Sequence, residues 1–244
     1  MARSVILLAL LCVGASQKIA PVQSKSSKIS CKNEKGKDVD WFVLYKLPKT
    51  KKTNNGYIAL DGGEMLYYDS HTRKGLWTFL PNIYDKHFNP VKETLDPIFG
   101  KTPDKSVAYA VYNDQPPPNL TNKTRGGHSK GILMAGKSRG IVWLQHSVPR
   151  FLDRLEQGFK YPESGRENGQ LFMCISMHLD TVNSVAKHLH IQAANVYLTN
   201  APFWATEYEA FWEILKQKYM RNPNILKVDF FKTTKKNVVL AIAK

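Results

Sequence analysis

One short segment of the chain, Gly126-Gly127-His128-Ser129-Lys130-Gly131, places an imidazole and an ammonium two residues apart. At the entrance to a strand, the two-residue period of β-structure sends the side chains of His128 and Lys130 to the same face. Such a pair suits a phosphodiester, because the histidine attacks phosphorus or transfers a proton while the lysine neutralises the non-bridging oxygens. The flanking glycines let the backbone approach a substrate.

The remaining histidines form no metal-binding pattern. His188 and His190 lie two residues apart on a predicted helix, so their side chains point in different directions and make a shared metal ion unfavourable. The sequence contains no His-Glu-x-x-His, no paired Cys-x-x-Cys and no glycine-rich phosphate loop. We therefore expect a site without a metal ion or other cofactor.

Apolar, β-branched and aromatic runs predict the strands that position the His-x-Lys pair. Trp41-Phe42-Val43-Leu44-Tyr45 is apolar at every position, which is typical of a buried strand. The turn at 136–140 predicts a hairpin directly after the pair. The complete set of expected strands is 41–45, 107–112, 131–135, 141–148, 171–177, 226–231 and 236–243.

Two helices are expected between these strands. Asp180 is a candidate cap for a helix with an apolar face, and a second helix is expected from about 203 to 220. The apolar face of the first comprises Val182, Val185, Ala186 and Leu189, and the stripe of the second comprises Trp204, Tyr208, Phe211, Trp212, Leu215 and Tyr219. Helices and strands together predict a mixed α/β (α+β) fold.

The start of the chain predicts a secretory route. A basic start, an apolar run from Ser4 to Val13 and the small residues that follow form a signal peptide at 1–15. No later segment approaches the apolar length that spans a bilayer, so we expect no stable membrane association after the leader is removed. Loss of the leader removes Cys12, and the two remaining cysteines, Cys31 and Cys174, then most simply form one disulfide.

The loop after Val107–Tyr112 contains two glycosylation sequons, at Asn119 and Asn122, directly after three prolines. A glycan needs an exposed loop in a secreted protein, which is what the prolines predict. The whole chain has 35 Lys and Arg against 20 Asp and Glu, a formal net charge of +15. This charge concentrates polyanions such as DNA or anionic glycans at the surface.

Four segments occur in a fixed order along the chain: Asp40–Pro48, Tyr112–Pro117, Arg125–Gly131 and Trp143–Pro149. They resemble the signature segments of the deoxyribonuclease II family, over a span of 31–244. The resemblance implies a phospholipase-D-like sheet flanked by helices, in which two similar halves each supply one His-x-Lys. It also implies a lysosomal or extracellular acid endonuclease that hydrolyses DNA without metal and leaves 3′-phosphate and 5′-hydroxyl ends.

The resemblance assigns His128 and Lys130 to catalysis, with His128 as nucleophile or proton donor. Asn113, Asp114 and His146 fall in the matching segments and are weaker candidates, for shaping the site. The presence of Asn113 and Asp114 is also explained by side chains that bond to the backbone next to a proline turn. The presence of His146 is also explained by a hydrogen-bonded structural role.

The leader, the lysine-rich composition of 16–40 and the resemblance together predict the organisation of the chain. A signal peptide at 1–15 and a basic N-terminal arm at 16–40 precede a first phospholipase-D-like half at 41–150. Residues 151–244 are then the remainder and the start of an incomplete second half.

One feature of the family pattern is absent from this sequence, since a second His-x-Lys does not occur and His71-Thr72-Arg73 is the nearest variant. Three interpretations follow: a fragment of a longer product, a homodimer that completes the site, or a homologue that binds DNA without efficient cleavage. The apolar ending at 237–244 favours the first. A general polyanion-binding protein is the alternative from the charge alone.

Overall fold

The computed structural model describes residues 28–50, 59–72, 75–120, 126–218 and 225–244. The predicted signal peptide at 1–15, the first part of the basic arm at 16–27 and the sequon at Asn122 lie outside the described residues. Within these ranges, no helix has the length and hydropathy needed to cross a membrane.

An antiparallel sheet of eight strands forms the centre of the fold, in the order β10-β6-β7-β8-β9-β3-β4-β5. The strands are β1 Cys31–Lys32, β2 Asp38–Val39, β3 Trp41–Lys46, β4 Met65–Asp69, β5 Thr78–Leu80, β6 Val107–Asn113, β7 Lys130–Gly136, β8 Gly140–His146, β9 Gln170–Met177, β10 Val196–Asn200, β11 Lys227–Lys232 and β12 Val238–Ala243. The first and last pairs form separate hairpins, β1–β2 and β11–β12. Every strand expected from the sequence is present, and the mixed α+β class is confirmed.

Two apolar cores lie on the two faces of the sheet. On one face, Phe42, Leu44 and Phe172 pack with helix α1 (Pro90–Leu95) and the loops around it. On the other face, side chains of β6, β7 and β8 pack under α2 (Val182–Ile191), α3 (Glu209–Leu215) and the hairpin β11–β12. The central sheet draws strands from both sides of residue 150, and the division of the chain into halves there stays a prediction.

The expected helix over 203–220 is wrong in extent. A 3-10 turn, Phe203–Glu207, precedes α3, and Tyr208 between them has φ −120° and ψ 87°, outside the helical region. The indole N–H of Trp204 donates to the carbonyl of Ser106, which fixes the turn against the start of β6. This tertiary contact divides the predicted apolar stripe between the 3-10 turn and α3. Periodicity alone does not reveal it.

The expected cap at Asp180 is also wrong. Leu179–Thr181 form a 3-10 turn that leads into α2, and no side chain caps the first turn of that helix. The carboxylate of Asp180 instead accepts a hydrogen bond from its neighbour Thr181. The extra turn moves Asp180 away from the capping position.

Residues 28–40, expected as part of an extended arm, are folded onto the core. Ile29, Cys31 and Val39 are buried in the first core, and the hairpin β1–β2 holds them there. Cys31 forms a disulfide with Cys174 of β9, as the cysteine count predicts. The bond ties the start of the described chain to the middle of the sheet, and it explains why a lysine-rich segment is ordered.

Replacing both Cys31 and Cys174 with serine is expected to lower the free energy of unfolding by about 3 kcal/mol. The bond closes a loop with a sequence separation of 143 residues, and releasing that loop raises the entropy of the unfolded chain. Urea denaturation of the wild type and the double variant measures the difference. The reduced wild type serves as a control and should match the variant. Equal unfolding midpoints for the oxidised wild type and the variant would contradict the assignment.

Candidate active site

The predicted His-x-Lys pair lies at the mouth of a cleft with a volume of about 560 Å³. Lys130 is the first residue of β7 and pairs with Asn113, the last residue of β6, while His128 precedes the strand. The cleft is lined by Tyr112, Gly127, His128, Ser129, Lys130, Gln145, His146, Ser147, Gln192, Ile242, Ala243 and Lys244. The pair and its hairpin partner His146 therefore share one cavity.

A carboxylate joins the two predicted catalytic side chains. Asp114 accepts a hydrogen bond from the ammonium of Lys130 through Oδ1, and its Oδ2 lies 3.6 Å from Nε2 of His128. The side chain of Lys130 is only 5% exposed, whereas the imidazole of His128 is 86% exposed. The ion pair with Asp114 fixes the position of the Lys130 side chain. The exposed imidazole of His128 remains accessible to a bound molecule.

Asn113 holds the turn that carries Asp114. Its side-chain amide donates to the carbonyls of Val148 at 3.0 Å and Phe151 at 2.9 Å, and its Oδ1 accepts from the N–H of Gln115. The residue is completely buried. Asn113 therefore ties the end of β6 to the segment after β8, and it positions the carboxylate rather than contacting the cleft itself.

The glycines beside His128 also allow a close contact within the protein. A Cβ on Gly127 would lie 2.0 Å from the carbonyl oxygen of Gln192, and one on Gly126 would lie 2.6 Å from Cβ of Asn195. The N–H of Gly127 also donates to the carbonyl of Ala193. The backbone approaches the end of α2 and the segment after it, so these glycines allow the His-x-Lys loop to pack on its own protein.

His146 lies beside Lys130 in a buried, largely aromatic setting. Its ring contacts Phe151 and Phe172, with centroid distances of 5.3 and 5.7 Å. Burial, with a further contribution from the Lys130 charge, lowers the pKa of His146 to about 3, so the ring is neutral. Nδ1 accepts the N–H of Val148, and the proton of the neutral ring must therefore be on Nε2.

The Nε2 atom of His146 is buried and has no hydrogen-bond partner among the described residues. The hydroxyl of Ser129, in the same cleft, is also buried without a partner in the part of the chain that the structure describes. Unsatisfied buried donors are costly, and they are characteristic of sites that bind a ligand or water. The cleft therefore offers an N–H donor and a hydroxyl next to the Lys130 ammonium.

The lowered pKa of His146 in the native state predicts that the free energy of unfolding decreases in acid. An unfolded histidine binds a proton below pH about 6.5, whereas the native ring, with its lowered pKa, does not, so acid favours the unfolded state. Between pH 7 and pH 5 this difference amounts to about 2 kcal/mol. Urea denaturation at several pH values should show a steeper decline for the wild type than for His146→Gln. The exposed His87, changed to glutamine, is the control and should retain the wild-type slope; equal slopes for all three proteins would refute the account.

The other candidate residues have separate surroundings. Nε2 of His188 lies 2.8 Å from Asp229, and Nε2 of His190 lies 3.2 Å from the carbonyl of Ala210, so the two rings point to different partners as predicted. Among the described residues, no group of His, Cys, Asp and Glu side chains is placed to hold a metal ion. Asn119 is exposed on the loop after β6.

Comparison with known proteins connects this geometry to a family. The sequence model of the family "Deoxyribonuclease II" matches residues 30–244. The chain is 36% identical to human deoxyribonuclease-2-beta, across 72% of this chain and 48% of the relative. It is 30% identical to deoxyribonuclease-2 of Caenorhabditis elegans, across 80% of this chain and 56% of the relative. It is also 30% identical to plancitoxin-1 of Acanthaster planci, across 72% and 49%.

The family model extends over nearly all of the described residues, although the chain spans about half the length of the curated relatives it matches. The family match includes the strand β3, the hairpin β7–β8 and the residues that line the cleft, up to the end of β12. Since the family model covers far more than half of the sequence, the chain belongs to the deoxyribonuclease II family.

Proposed function

We propose that the chain is a metal-independent acid endonuclease of DNA, with His128 as the nucleophile and Lys130 as the phosphate-binding cation. The observation that carries this proposal is the cleft in which the Asp114 carboxylate joins an exposed imidazole to a buried ammonium. The names of the relatives, which are deoxyribonucleases, support DNA as the substrate. The net charge of +15 favours a polyanion at the surface.

In the proposed reaction, a nitrogen of His128 attacks phosphorus and the bond from phosphorus to the 5′-oxygen breaks. The intermediate is a 3′-phosphoryl histidine, which water then hydrolyses to give a 3′-phosphate and a 5′-hydroxyl end. The Lys130 ammonium neutralises the non-bridging oxygens, on which charge increases as the attack proceeds. The low exposure of its side chain, 5%, strengthens this interaction.

The neutral His146 has a different task from His128. With its pKa lowered to about 3, it is not charged at pH 5 and does not serve as the acid that protonates the leaving oxygen. Its Nε2–H is instead suited to donate to a non-bridging phosphate oxygen beside Lys130. The departing 5′-oxygen then takes its proton from solvent, so we expect slow cleavage by the chain alone.

Nicking of supercoiled plasmid at pH 5, with and without EDTA, tests the proposal. We expect slow conversion to the nicked circle at the same rate in both reactions, with 5′-hydroxyl ends that a kinase can label directly. Abolition of nicking by EDTA would overturn the metal-independent mechanism, and ends that need phosphatase treatment before labelling would overturn the bond assignment.

A catalytically impaired DNA-binding homologue is the second candidate, and the single His-x-Lys of the sequence favours it. This protein would bind duplex DNA with a strong dependence on salt and would leave the plasmid intact. A general polyanion-binding protein would instead bind heparin as tightly as DNA. Fluorescence anisotropy of a labelled duplex, with heparin as competitor, separates these two candidates in a preparation that does not nick.

We also propose a secretory route to a lysosomal or extracellular compartment. The Cys31–Cys174 disulfide supports it, because such bonds persist in oxidising compartments. The exposed position of Asn119 leaves that sequon accessible to a glycan. Expression in mammalian cells, followed by treatment of the medium and lysates with a glycosidase, tests the route: a shift in mobility is expected, and an unglycosylated cytosolic chain would contradict it.

A further inference from the structure

The cleft of the candidate active site is larger than one phosphate group requires. Its volume of about 560 Å³ lies in the range of sites that enclose small organic molecules, about 300–1,000 Å³. The side chains placed in the reaction above, His128, Lys130 and His146, are three of its twelve lining residues. The rest of the cleft therefore has room for a further part of the substrate.

Strand alternation divides the lining of the cleft into two parts. Successive side chains of a strand point to opposite faces, and in β8 Trp143 belongs to the core under α2 while Leu144 belongs to the core beside α1. Gln145 therefore points to the α2 face, and His146 points to the opposite face. Lys130 shares the face of His146, since the residue two positions after it belongs to the core beside α1. The proposed phosphate-binding groups thus occupy only one part of the cleft.

On the α2 face, the hydroxyl of Tyr112 is a hydrogen-bond donor without an acceptor. Tyr112 belongs to the core under α2 and lines the cleft, and its hydroxyl oxygen accepts the indole N–H of Trp143 at 3.0 Å. Because an indole N–H only donates, the proton of the tyrosine hydroxyl is left for a different partner. Among the described residues, no acceptor takes that proton.

Gly131 brings this hydroxyl close to Gln145. A Cβ on Gly131 would lie 2.4 Å from the hydroxyl oxygen of Tyr112, so only glycine leaves space for the ring at this point of β7. Gln145 is the register partner of Gly131 on β8, and opposed residues have Cβ positions about 4.5–5.5 Å apart. The side chain of Gln145 is half-buried, and its amide has no hydrogen-bond partner within the described ranges.

Gln192 supplies a second amide at the end of α2. It directly follows the helix, and its carbonyl oxygen packs against Gly127 in the His-x-Lys loop. The residue is half-buried and lines the cleft, and its side-chain amide also lacks a partner in the part of the chain that the structure describes. Tyr112, Gln145 and Gln192, here called the neutral subsite, thus lie in the same cleft as the phosphate-binding groups.

The chemistry of the neutral subsite suits a nucleobase. The edges of the bases present hydrogen-bond donors and acceptors, and a glutamine amide offers both an NH₂ donor and a carbonyl acceptor to them. A second phosphate is disfavoured at these three side chains, because they carry no charge and phosphates are bound mainly by cations. The neutral subsite therefore fits the uncharged part of a nucleotide.

We propose that Tyr112, Gln145 and Gln192 bind the base of the nucleotide whose 3′-phosphate lies at Lys130. The inference rests on the proposed function, which places the phosphate beside Lys130 and keeps the 3′-phosphoryl nucleotide on the enzyme. Hydrogen bonds to the base hold that nucleotide in one orientation, which aligns its phosphorus with His128. The three residues are positioning residues for the reaction, and they make a nucleotide a better ligand than phosphate alone.

Isothermal titration calorimetry of the full chain at pH 5, with deoxyadenosine 3′-monophosphate and with inorganic phosphate, tests the proposal. We expect the nucleotide to bind about 25-fold more tightly, from two amide contacts of about 5-fold each. Gln145→Met and Gln192→Met should each weaken nucleotide binding by about 5-fold and leave phosphate binding unchanged, since methionine keeps the length of the side chain and removes the amide. Gln157→Met, at an exposed glutamine outside the cleft, is the matched control and should retain wild-type affinity for both probes.

Near-UV circular dichroism checks that each variant is folded. Equal affinities of the wild type for the nucleotide and for phosphate would overturn the base contacts, as would glutamine variants that bind the nucleotide like the wild type or that lose both probes equally. Tighter binding of deoxyadenosine 5′-monophosphate would assign the subsite to the leaving nucleotide and overturn the 3′ assignment.

The phosphate titration tests the proposed function separately. Lys130→Met should weaken the binding of inorganic phosphate, and an unchanged affinity would overturn the phosphate-binding role of Lys130. The difference in affinity between the nucleotide and phosphate tests the neutral subsite alone. All of these readouts are affinities, so they do not depend on whether the chain cleaves DNA.

Discussion

Replacing His128 with alanine is expected to lower the rate of plasmid nicking at pH 5 on the order of 10⁴-fold, because it removes the proposed nucleophile. The ring is 86% exposed, and its approach to Asp114 at 3.6 Å is too long for a hydrogen bond. The substitution therefore removes the reactive nitrogen without removing a hydrogen bond. Single-turnover nicking, with enzyme in excess, measures the loss.

Two exposed histidines outside the cleft, His87 and His178, provide matched controls. Their alanine variants should nick DNA at the wild-type rate. Binding of a labelled duplex by His128→Ala should also stay within a small factor of the wild type, since phosphate contacts across a cationic surface supply most non-specific affinity. Unchanged nicking by His128→Ala would show that the reactive residue lies elsewhere.

Local sequence patterns were sufficient for most of the sheet and for the position of the site. The hairpin β7–β8 follows from two apolar runs around a glycine-bounded turn, and its strands differ from the predicted bounds by at most two residues. The two-residue spacing of His128 and Lys130 likewise brings both side chains to Asp114. These features depend on neighbouring residues, which a sequence pattern records directly.

Other properties of the site depend on contacts distant in the sequence. Asp114 faces Lys130 because β6 and β7 pair in the register Asn113–Lys130, and a sequence alone does not fix that register. The neutral state of His146 results from burial among aromatic rings and from the bond to Val148. Gly127 likewise packs against Gln192, which lies 65 positions further along the chain.

The short strands β4, β5 and β10 were not predicted, and the reason is similar. They contain only 5, 3 and 5 residues, too few for a clear period, and their pairing with longer strands stabilises them. β10 lies at the edge next to β6, which places the end of α2 beside the His-x-Lys loop. The unpredicted elements therefore determine how closely α2 approaches the site.

Lys130→Met is expected to reduce single-turnover nicking by about 10³-fold, at the upper end of the effect of one electrostatic contact. Methionine keeps the length of the buried side chain but removes the ammonium that neutralises the phosphate. The carboxylate of Asp114 is then unpaired next to the DNA backbone and repels it, so the loss exceeds that of a single hydrogen bond. Lys137 lies on the turn of the same hairpin, is exposed and pairs with Glu207. The variant Lys137→Met is the control and should nick DNA at the wild-type rate.

The double variant Asp114→Asn/Lys130→Met separates catalysis from folding. It removes both members of the buried pair, so it avoids the cost of an isolated charge and should unfold at a higher urea concentration than Lys130→Met. Its nicking rate should remain far below the wild type, because neutral side chains do not stabilise the phosphoryl transition state. Recovery of nicking in the double variant would show that Lys130 serves only to balance Asp114, and the phosphate-binding role would have to be assigned to Lys244, the other lysine of the cleft.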